Sequence, residues 1–382
     1  MMAETVWRKS PCFAGPGSRT RADKSLQTHD RNVCPHTSSR LVQNIAARIR
    51  RNTNLPRAVW ALFTSFCAAL PLSLALAQEK RDLRVAYVSP SISQSINWIA
   101  KETGIFARHG LNVELIYMSG GKSTQALVAG SIDFSSNAGP PFVQAGLAGA
   151  DPVLIVSSIT VPIFSVIVRP EISRPEDLKS KTVGSSGLNN LSYFITRRVL
   201  KNWGFEPDKD VKILGAADRL ATLQQNLIQG TLLSPPENFA ALKMGFKSLG
   251  EVAEMGIQYS YAGIITTKRF VREHPDTTLR FIRSYIEGLA VYLKDKDTAL
   301  RVVQKYSRVS DRAVLEEAYQ VFAKYWRKTP LPDRDGVRGI IEDLSLQDPK
   351  ARTADAENFI DPTFVRRVSQ EGLIDKLFSA RK

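Results

Sequence analysis

From Leu83 onward the apolar positions fall into two alternating rhythms. "LRVAYVS" (83–89) is a short apolar run suited to a buried strand, and "SINWIAKETGIFARHG" (95–110) has helical spacing closed by Gly110. The pattern continues with a strand at 111–118, a helix at 123–130 ended by Gly130, and a strand at 132–136. A helix at 140–149 starts on proline, and a strand follows at 151–159. This order predicts a mostly parallel sheet covered by helices. "VRPEISRPEDLKSK" (168–181), rich in Pro and charge, breaks the run. A second alternating set occupies 181–186, 191–205, 210–216, 219–230 and 236–246. After 261–270 come long helices at 276–294, 296–307 and 310–326, each starting near an Asp or Ser cap.

The two sets echo one another. "STQALVAGSIDFSSNAGPPFVQAGLAG" (123–149) can be laid beside "LATLQQNLIQGTLLSPPENFAALKMGF" (220–246), with Gly130 near Gly230 and Pro140 and Pro141 near Pro235 and Pro236. A loose duplication of this kind suggests two similar α/β lobes facing each other. A length of 382 residues agrees, being too great for one ordinary core.

Charge changes the picture less than its total suggests. Of the formal +15, residues 1–77 carry +8, from eleven basic groups against three acidic ones, which leaves +7 for the rest. No basic motif interleaved with aromatics is present, so no nucleic-acid partner is expected. All three cysteines, Cys12, Cys34 and Cys67, lie before residue 78, and only His109 and His274 follow it. A Ser-His-Asp or Cys-His set, or a His/Cys zinc site, has almost nothing to be built from there, so no catalytic residue, metal or cofactor is expected.

"RAVWALFTSFCAALPLSLALAQ" (57–78) accounts for the split. Arg48, Arg50, Arg51 and Arg57 flank an apolar run that ends in Ala75-Leu76-Ala77, a secretory signal at 48–77 with cleavage expected after Ala77. Pro71, Ser73 and the small-residue ending favour this over a membrane anchor. Phe66 before Cys67 is too bulky for lipidation. Residues 1–47, rich in Arg, Ser and Thr, read as a disordered extension or as translation assigned too far upstream.

"MSGGKSTQALVAGSIDF" (118–134) contains the tail of a phosphate-binding loop. A complete loop needs a glycine at position 116, and Ile116 stands there inside a strand. Nucleotide hydrolysis is therefore not expected. A Gly-Gly turn at a strand's carboxyl end still offers free backbone N–H groups and the positive end of a helix dipole. Three other turns share this place and character: 89–94, 135–139 and 185–190, all rich in Ser, Asn or Gly. Such residues are common in any cap or turn. Four of them at strand carboxyl ends point to a small-molecule cleft. By position, the expected ligand contacts are Ser91, Ser93, Gln94, Gly120, Gly121, Asn137, Ser185, Ser186, Asn189, Asn190 and Glu237. Glu237 equally suits the dipole of the helix it opens, and Lys122 either steers an anion or is a solvated first-turn residue. Trp98 either walls the cleft or packs in the core, and both histidines read as surface residues.

Several stretches carry a resemblance: "AKETGIFARHGLNVELI" (100–116), "ALVAGSIDF" (126–134), "EDLKSKTVGSSG" (176–187) and "NFIDPTFVRRVSQEGLI" (358–374). On them, residues 83–378 resemble the periplasmic solute-binding proteins of ABC transporters in the alkanesulfonate, taurine and thiamine-precursor group. The chain departs from that pattern at Ser180, where the family usually has Gly, and at "QGTLLSPP" (229–236), where it often has Gly-x-Val-Asp-Ala. The resemblance implies an α/β, two-lobed periplasmic binding protein type II fold with a ligand cleft between lobes. Its lobe 1 would span 83–170 and 259–382, and its lobe 2 would span 171–258. It further implies a monomer in the periplasm that captures a small organic solute by closing and hands it to an ABC permease and its ATPase. One enzyme branch of the group uses a Cys-rich iron segment, and a tetrapyrrole-forming deaminase of similar plan tethers its cofactor through Cys. The mature chain has no Cys for either. A ligand sensor is the remaining alternative. No Arg clamp stands out in the four turns, which argues against a bare small anion and leaves a neutral or aromatic solute at least as well supported.

Overall fold

The computed structural model describes residues 80–307 and 309–379. The expected extension (1–47), secretory segment (48–77) and all three cysteines lie outside the described residues. In chain order the elements are β1 (Arg81–Tyr87), α1 (Ser95–Glu102), α2 (Ile105–Arg108), β2 (Leu111–Tyr117), α3 (Gly120–Val128), β3 (Phe134–Ser136), α4 (Pro140–Leu147) and β4 (Pro152–Ile159). There follow β5 (Ser165–Val168), β6 (Thr182–Ser185), α5 (Leu191–Asn202), β7 (Lys212–Gly215), α6 (Arg219–Gln224), β8 (Gly230–Leu233), α7 (Glu237–Lys243) and β9 (Lys247–Glu251). The chain ends with β10 (Ala262–Thr267), α8 (Lys268–Glu273), α9 (Pro275–Lys294), α10 (Lys296–Ser307), α11 (Arg312–Tyr325), α12 (Arg334–Ser345), α13 (Thr363–Gln370) and α14 (Leu373–Phe378).

The strands form two five-stranded sheets, ordered β2-β1-β3-β10-β4 and β7-β6-β8-β5-β9. The alternating pattern predicts mostly parallel sheets, and β1, β2 and β3 pair in parallel, as do β6, β7 and β8. Each sheet also holds one antiparallel strand. In the first sheet β10 runs against β3 and β4, and in the second β5 runs against β8 and β9. In both cases it is the strand that has just crossed from the other sheet. The sheets therefore divide after Ile159, earlier than residue 170, because Ser165–Val168 pairs with β8 and β9. The helix expected over 95–110 is split at Gly104, whose positive φ of 70° belongs to the left-handed region that glycine tolerates. The helix expected at 219–230 stops at Gln224, and "GTLL" becomes strand β8.

In the first sheet β3, β10 and β4 are buried throughout, while β1 and β2 keep exposed positions. All eight residues of β4 are buried although it is an edge strand. Its outer side is covered where Leu154 bridges Ile360 and where the Asp361 amide donates to the Leu154 carbonyl at 2.9 Å. Two glycines allow main chains to approach closely. Gly263 of β10 has no room for a methyl group, which would overlap the Val156 carbonyl of β4. A methyl on Gly288 of α9 would lie 2.9 Å from the Ile96 carbonyl of α1. Over these elements Phe134 stacks on Phe281 with centroids 4.0 Å apart.

Two segments cross between the sheets, 160–164 and 252–261. A third tie is a side-chain latch. Arg198 of α5 donates from Nε to both carboxylate oxygens of Asp343 on α12, at 2.9 and 2.8 Å, and from Nη2 to the Gly339 carbonyl at 2.7 Å. Its guanidinium also lies 5.5 Å from the Tyr259 ring. The ionic partners are mostly buried, at 23% and 12% side-chain exposure, so cutting one leaves the other uncompensated. Arg198→Ala is expected to cost about 3 kcal/mol, the low end for breaking a buried pair. Denaturant unfolding checks this, and a double-mutant cycle with Asp343→Asn separates the pair from lost packing. By contrast Lys243–Asp311, half exposed on both sides, should contribute little.

Candidate functional site

The carboxyl ends of β1 and β3 meet those of β6 and β8, so turns from the two sheets touch. Ser91, after β1, caps a single turn of 3-10 helix at Ile92–Gln94. Its hydroxyl lies 3.2 Å from the Ser234 hydroxyl after β8 and 3.4 Å from the Pro235 carbonyl. Ser234 in turn lies 3.0 Å from the Tyr261 hydroxyl, which donates to the Ile163 carbonyl at 3.2 Å. A tyrosine has one proton to give. With it on Ile163, Ser234 must donate to Tyr261, and the single Ser91 proton is shared between Ser234 and the Pro235 carbonyl. Nearby, Gly139 and Leu191 close the gap between β3 and α5, a methyl at Gly139 being 3.3 Å from the Leu191 Cβ. Burial pushes the Tyr261 hydroxyl up to about 12, against the hydrogen bonds from Ser234, Ser93 and Ser91.

The structure sorts the residues expected from position. Ser91 reaches across the junction and Ser93 lies beside Tyr261. Gln94 is turned inward: its Oε1 accepts from the Val88 amide at 3.2 Å and its Nε2 donates to Ser93 at 3.3 Å. Gly120 and Gly121 are the first residues of α3, separated from β2 by Met118 and Ser119 alone, too short a loop to wrap phosphates. Asn137 fastens this helix start. Its Nδ2 donates to the Gly120 carbonyl at 2.8 Å and to Thr124 Oγ1 at 3.1 Å. Ser185, Ser186 and Asn190 knot the turn before α5. Asn190 caps the helix through the Tyr193 amide and donates to Ser186 at 2.9 Å, while Ser185 donates to the Gly187 carbonyl. Asn189 is exposed in the left-handed region, with φ of 62°. Trp98 is a core residue, fully buried and stacked on Tyr306 at 4.9 Å. His109 is not a free surface residue but hydrogen-bonds Glu287 at 2.7 Å.

Glu237 opens α7 and faces a residue that the reading of the turns passed over. Arg219, at the start of α6, places Nη2 3.5 Å from the Glu237 carboxylate. The Arg219 side chain is only 14% exposed, and its Nε is buried without a hydrogen-bond partner. Its charge also acts on Tyr261, favouring the ionised phenol. The Glu237 carboxyl is raised above its ordinary value by burial, which outweighs the attraction of Arg219. A long, weak ion pair and an unsatisfied guanidinium nitrogen leave a donor for an oxyanion. Arg219 was hidden in the sequence because "AADRLATLQ" reads as an ordinary capped helix start, with Asp218 as the cap. Ser234 follows β8 and Tyr261 precedes β10, outside the elements that local periodicity marks.

Comparison with known proteins fits this geometry. A family model described as NMT1/THI5 like matches residues 94–299. A Brucella abortus (strain 2308) protein with the provisional name of a binding protein is 33% identical over 115 residues, 29% of this chain and 34% of its own length. The chain thus spans about a third of the curated relatives it matches. Among solved structures, the periplasmic aliphatic sulphonate binding protein SsuA from Escherichia coli is 19% identical with a TM-score of 0.60, over 74% of this chain and 93% of that one. The periplasmic nitrate-binding protein NrtA from Synechocystis PCC 6803 is 13% identical with a TM-score of 0.66, over 79% and 92%. At these identities the likeness is one of fold, that of the periplasmic binding proteins.

Proposed function

The chain belongs to the NMT1/THI5-like family, and from that premise we infer that it is the solute-binding component of an ABC importer. In this reading it works in the periplasm as a monomer, closes its two lobes on a small organic acid, and presents the closed form to a permease driven by an ATPase. The observation that carries the reading is the junction of opposed strand ends. Hydroxyls of Ser91, Ser234 and Tyr261 meet there beside a buried Arg219 whose Nε has no partner. The backbone amides of Gly120 and Gly121 and the exposed Asn189 border the same strand ends and would complete the contacts. Such a site donates hydrogen bonds and carries a cation. It has no nucleophile paired with a base, so it suits capture rather than turnover. The sulphonate and nitrate named for the structural neighbours are likewise oxyanions. Ligand binding to the closed form would shift the open–closed balance.

Thermal melting against a panel of alkanesulfonates, aromatic carboxylates and their neutral analogues tests this. An acid present at about 100 times its dissociation constant should add about 2.7 kcal/mol of stability. A shift with the neutral analogues alone would remove Arg219 from the reading. A shift with no compound, in protein freed of any co-purified solute, would count against capture itself.

A further inference from the structure

A cavity open to solvent on one side lies beside the strand-end junction and shares only Pro235 with it. This cavity of about 170 Å³ is walled by α7, β9, the crossing segments and α11. Phe164, Phe239 and Tyr325 supply aromatic faces, and Asn238, Glu251 and Glu254 supply polar ones. Lys324 also lines it, the one cationic group against two carboxylates.

The polar groups are arranged as acceptors. Asn238 is 2% exposed. Its Nδ2 donates to Ser165 Oγ at 2.7 Å, and Ser165 donates in turn to Glu251 Oε2 at 2.7 Å. This relay fixes which way the amide points, because Ser165 has spent its proton on the carboxylate. Asn238 Oδ1 is left buried with no partner. A buried carbonyl oxygen without a donor is costly, and native structures seldom leave one unless something else supplies the hydrogen bond. Glu251 has a further weak contact from Ser248 at 3.4 Å and lines the cavity.

We propose that this cavity is a second binding site, for a small primary ammonium ion carrying an apolar or aromatic body. The ammonium donates to Glu251 and, once a small shift of the amide uncovers it, to Asn238 Oδ1, and the body lies among Phe164, Phe239 and Tyr325. The volume suits a single ring, since a cavity of about 150 Å³ admits benzene. The walls come from both sides of the molecule: α7 and β9 belong with the second sheet, and α11 packs against the 92–94 turn of the first. An occupant therefore holds the two sides in their present arrangement and acts on the strand-end junction without entering it.

Calorimetric titration of the purified protein with benzylamine tests the site, with benzyl alcohol as the uncharged control. Benzylamine is expected to bind at one site about tenfold or more tighter than the alcohol, as a hydrogen-bonded charge implies. Glu251→Gln should weaken it about tenfold and Asn238→Leu by a similar factor. Glu251 lies at the surface, so its variant folds even if the Asn238 variant does not. Equal affinity for amine and alcohol, or no saturable binding, overturns the proposal. So does amine binding that survives Glu251→Gln and disappears with Glu237→Gln, which places the amine at the strand-end junction instead.

Discussion

Arg219→Ala is expected to weaken capture of an acidic solute by about 100-fold, close to 2.7 kcal/mol, while the unliganded protein melts no lower than the parent. The two halves of this expectation have one cause. Arg219 is mostly buried, its Nε has no partner, and Glu237 is 3.5 Å from its nearest nitrogen. In the unliganded molecule the guanidinium therefore gives little back for its desolvation, and removing it costs little. An oxyanion at Nε would supply the missing partner, so the residue contributes mainly when the solute is present. Arg219→Lys should recover only part of the affinity, since an ammonium lacks the planar fork. Glu237→Gln then reports on the solute. It removes a negative charge beside the anion, so a plain acid should bind more tightly, whereas a zwitterion whose ammonium uses Glu237 should bind more weakly. The pH dependence has a definite sign. The Glu237 carboxyl is raised, so a plain acid should gain affinity as pH falls through that raised value. Isothermal titration across the variants and across pH measures all of these.

Gly263→Ala is expected to cost about 3–5 kcal/mol, the range of a severe core defect. The added methyl would fall on the Val156 carbonyl, which is main chain inside a paired strand and cannot swing away as a side-chain tip can. Leu154 and Ala138 stand 3.1 and 3.2 Å from the same position, so no other direction is open. β10 must therefore separate from β4, and with it the link between β3 and β4. Gly121→Ala gives the contrast. Nothing lies within 4 Å of a methyl there, and the residue is in the first turn of α3. Its stability should rise by about 0.4–1 kcal/mol through the unfolded chain. Guanidinium unfolding of the two variants beside the parent decides both.

The two sheets were legible because their strands are short apolar runs between Gly, Pro and Ser turns, and the periodicity placed β1, β2 and β4 within two residues at either end. β5 escaped because "SVIV" runs without a pause into the Pro-rich break, and β8 because its four residues follow a helix start of good propensity. The antiparallel strand in each sheet could not be read locally. Its direction depends on which sheet the chain is crossing into. Turn positions were found by their composition, yet composition did not say which side chains are free. Asn137 and Asn190 look like free donors in the sequence, and the structure commits Asn137 to the Gly120 carbonyl and Asn190 to a helix cap. Arg219 looks like a solvated helix residue, and only tertiary burial reveals it.

The order of the first sheet also sets a timetable for synthesis. β4 has no strand partner except β10, which the ribosome makes about a hundred residues later, after the whole of β5 to β9. The second sheet uses one unbroken stretch of chain and can assemble as soon as that stretch is complete. The first must wait with β4 unpaired until Thr267 has emerged. A nascent chain of this plan stays half open for most of its translation, threadable through a narrow pore and exposed to whatever binds unpaired strands. A destabilising change in β10 should therefore be felt in yield before it is felt in the affinity of the protein that survives.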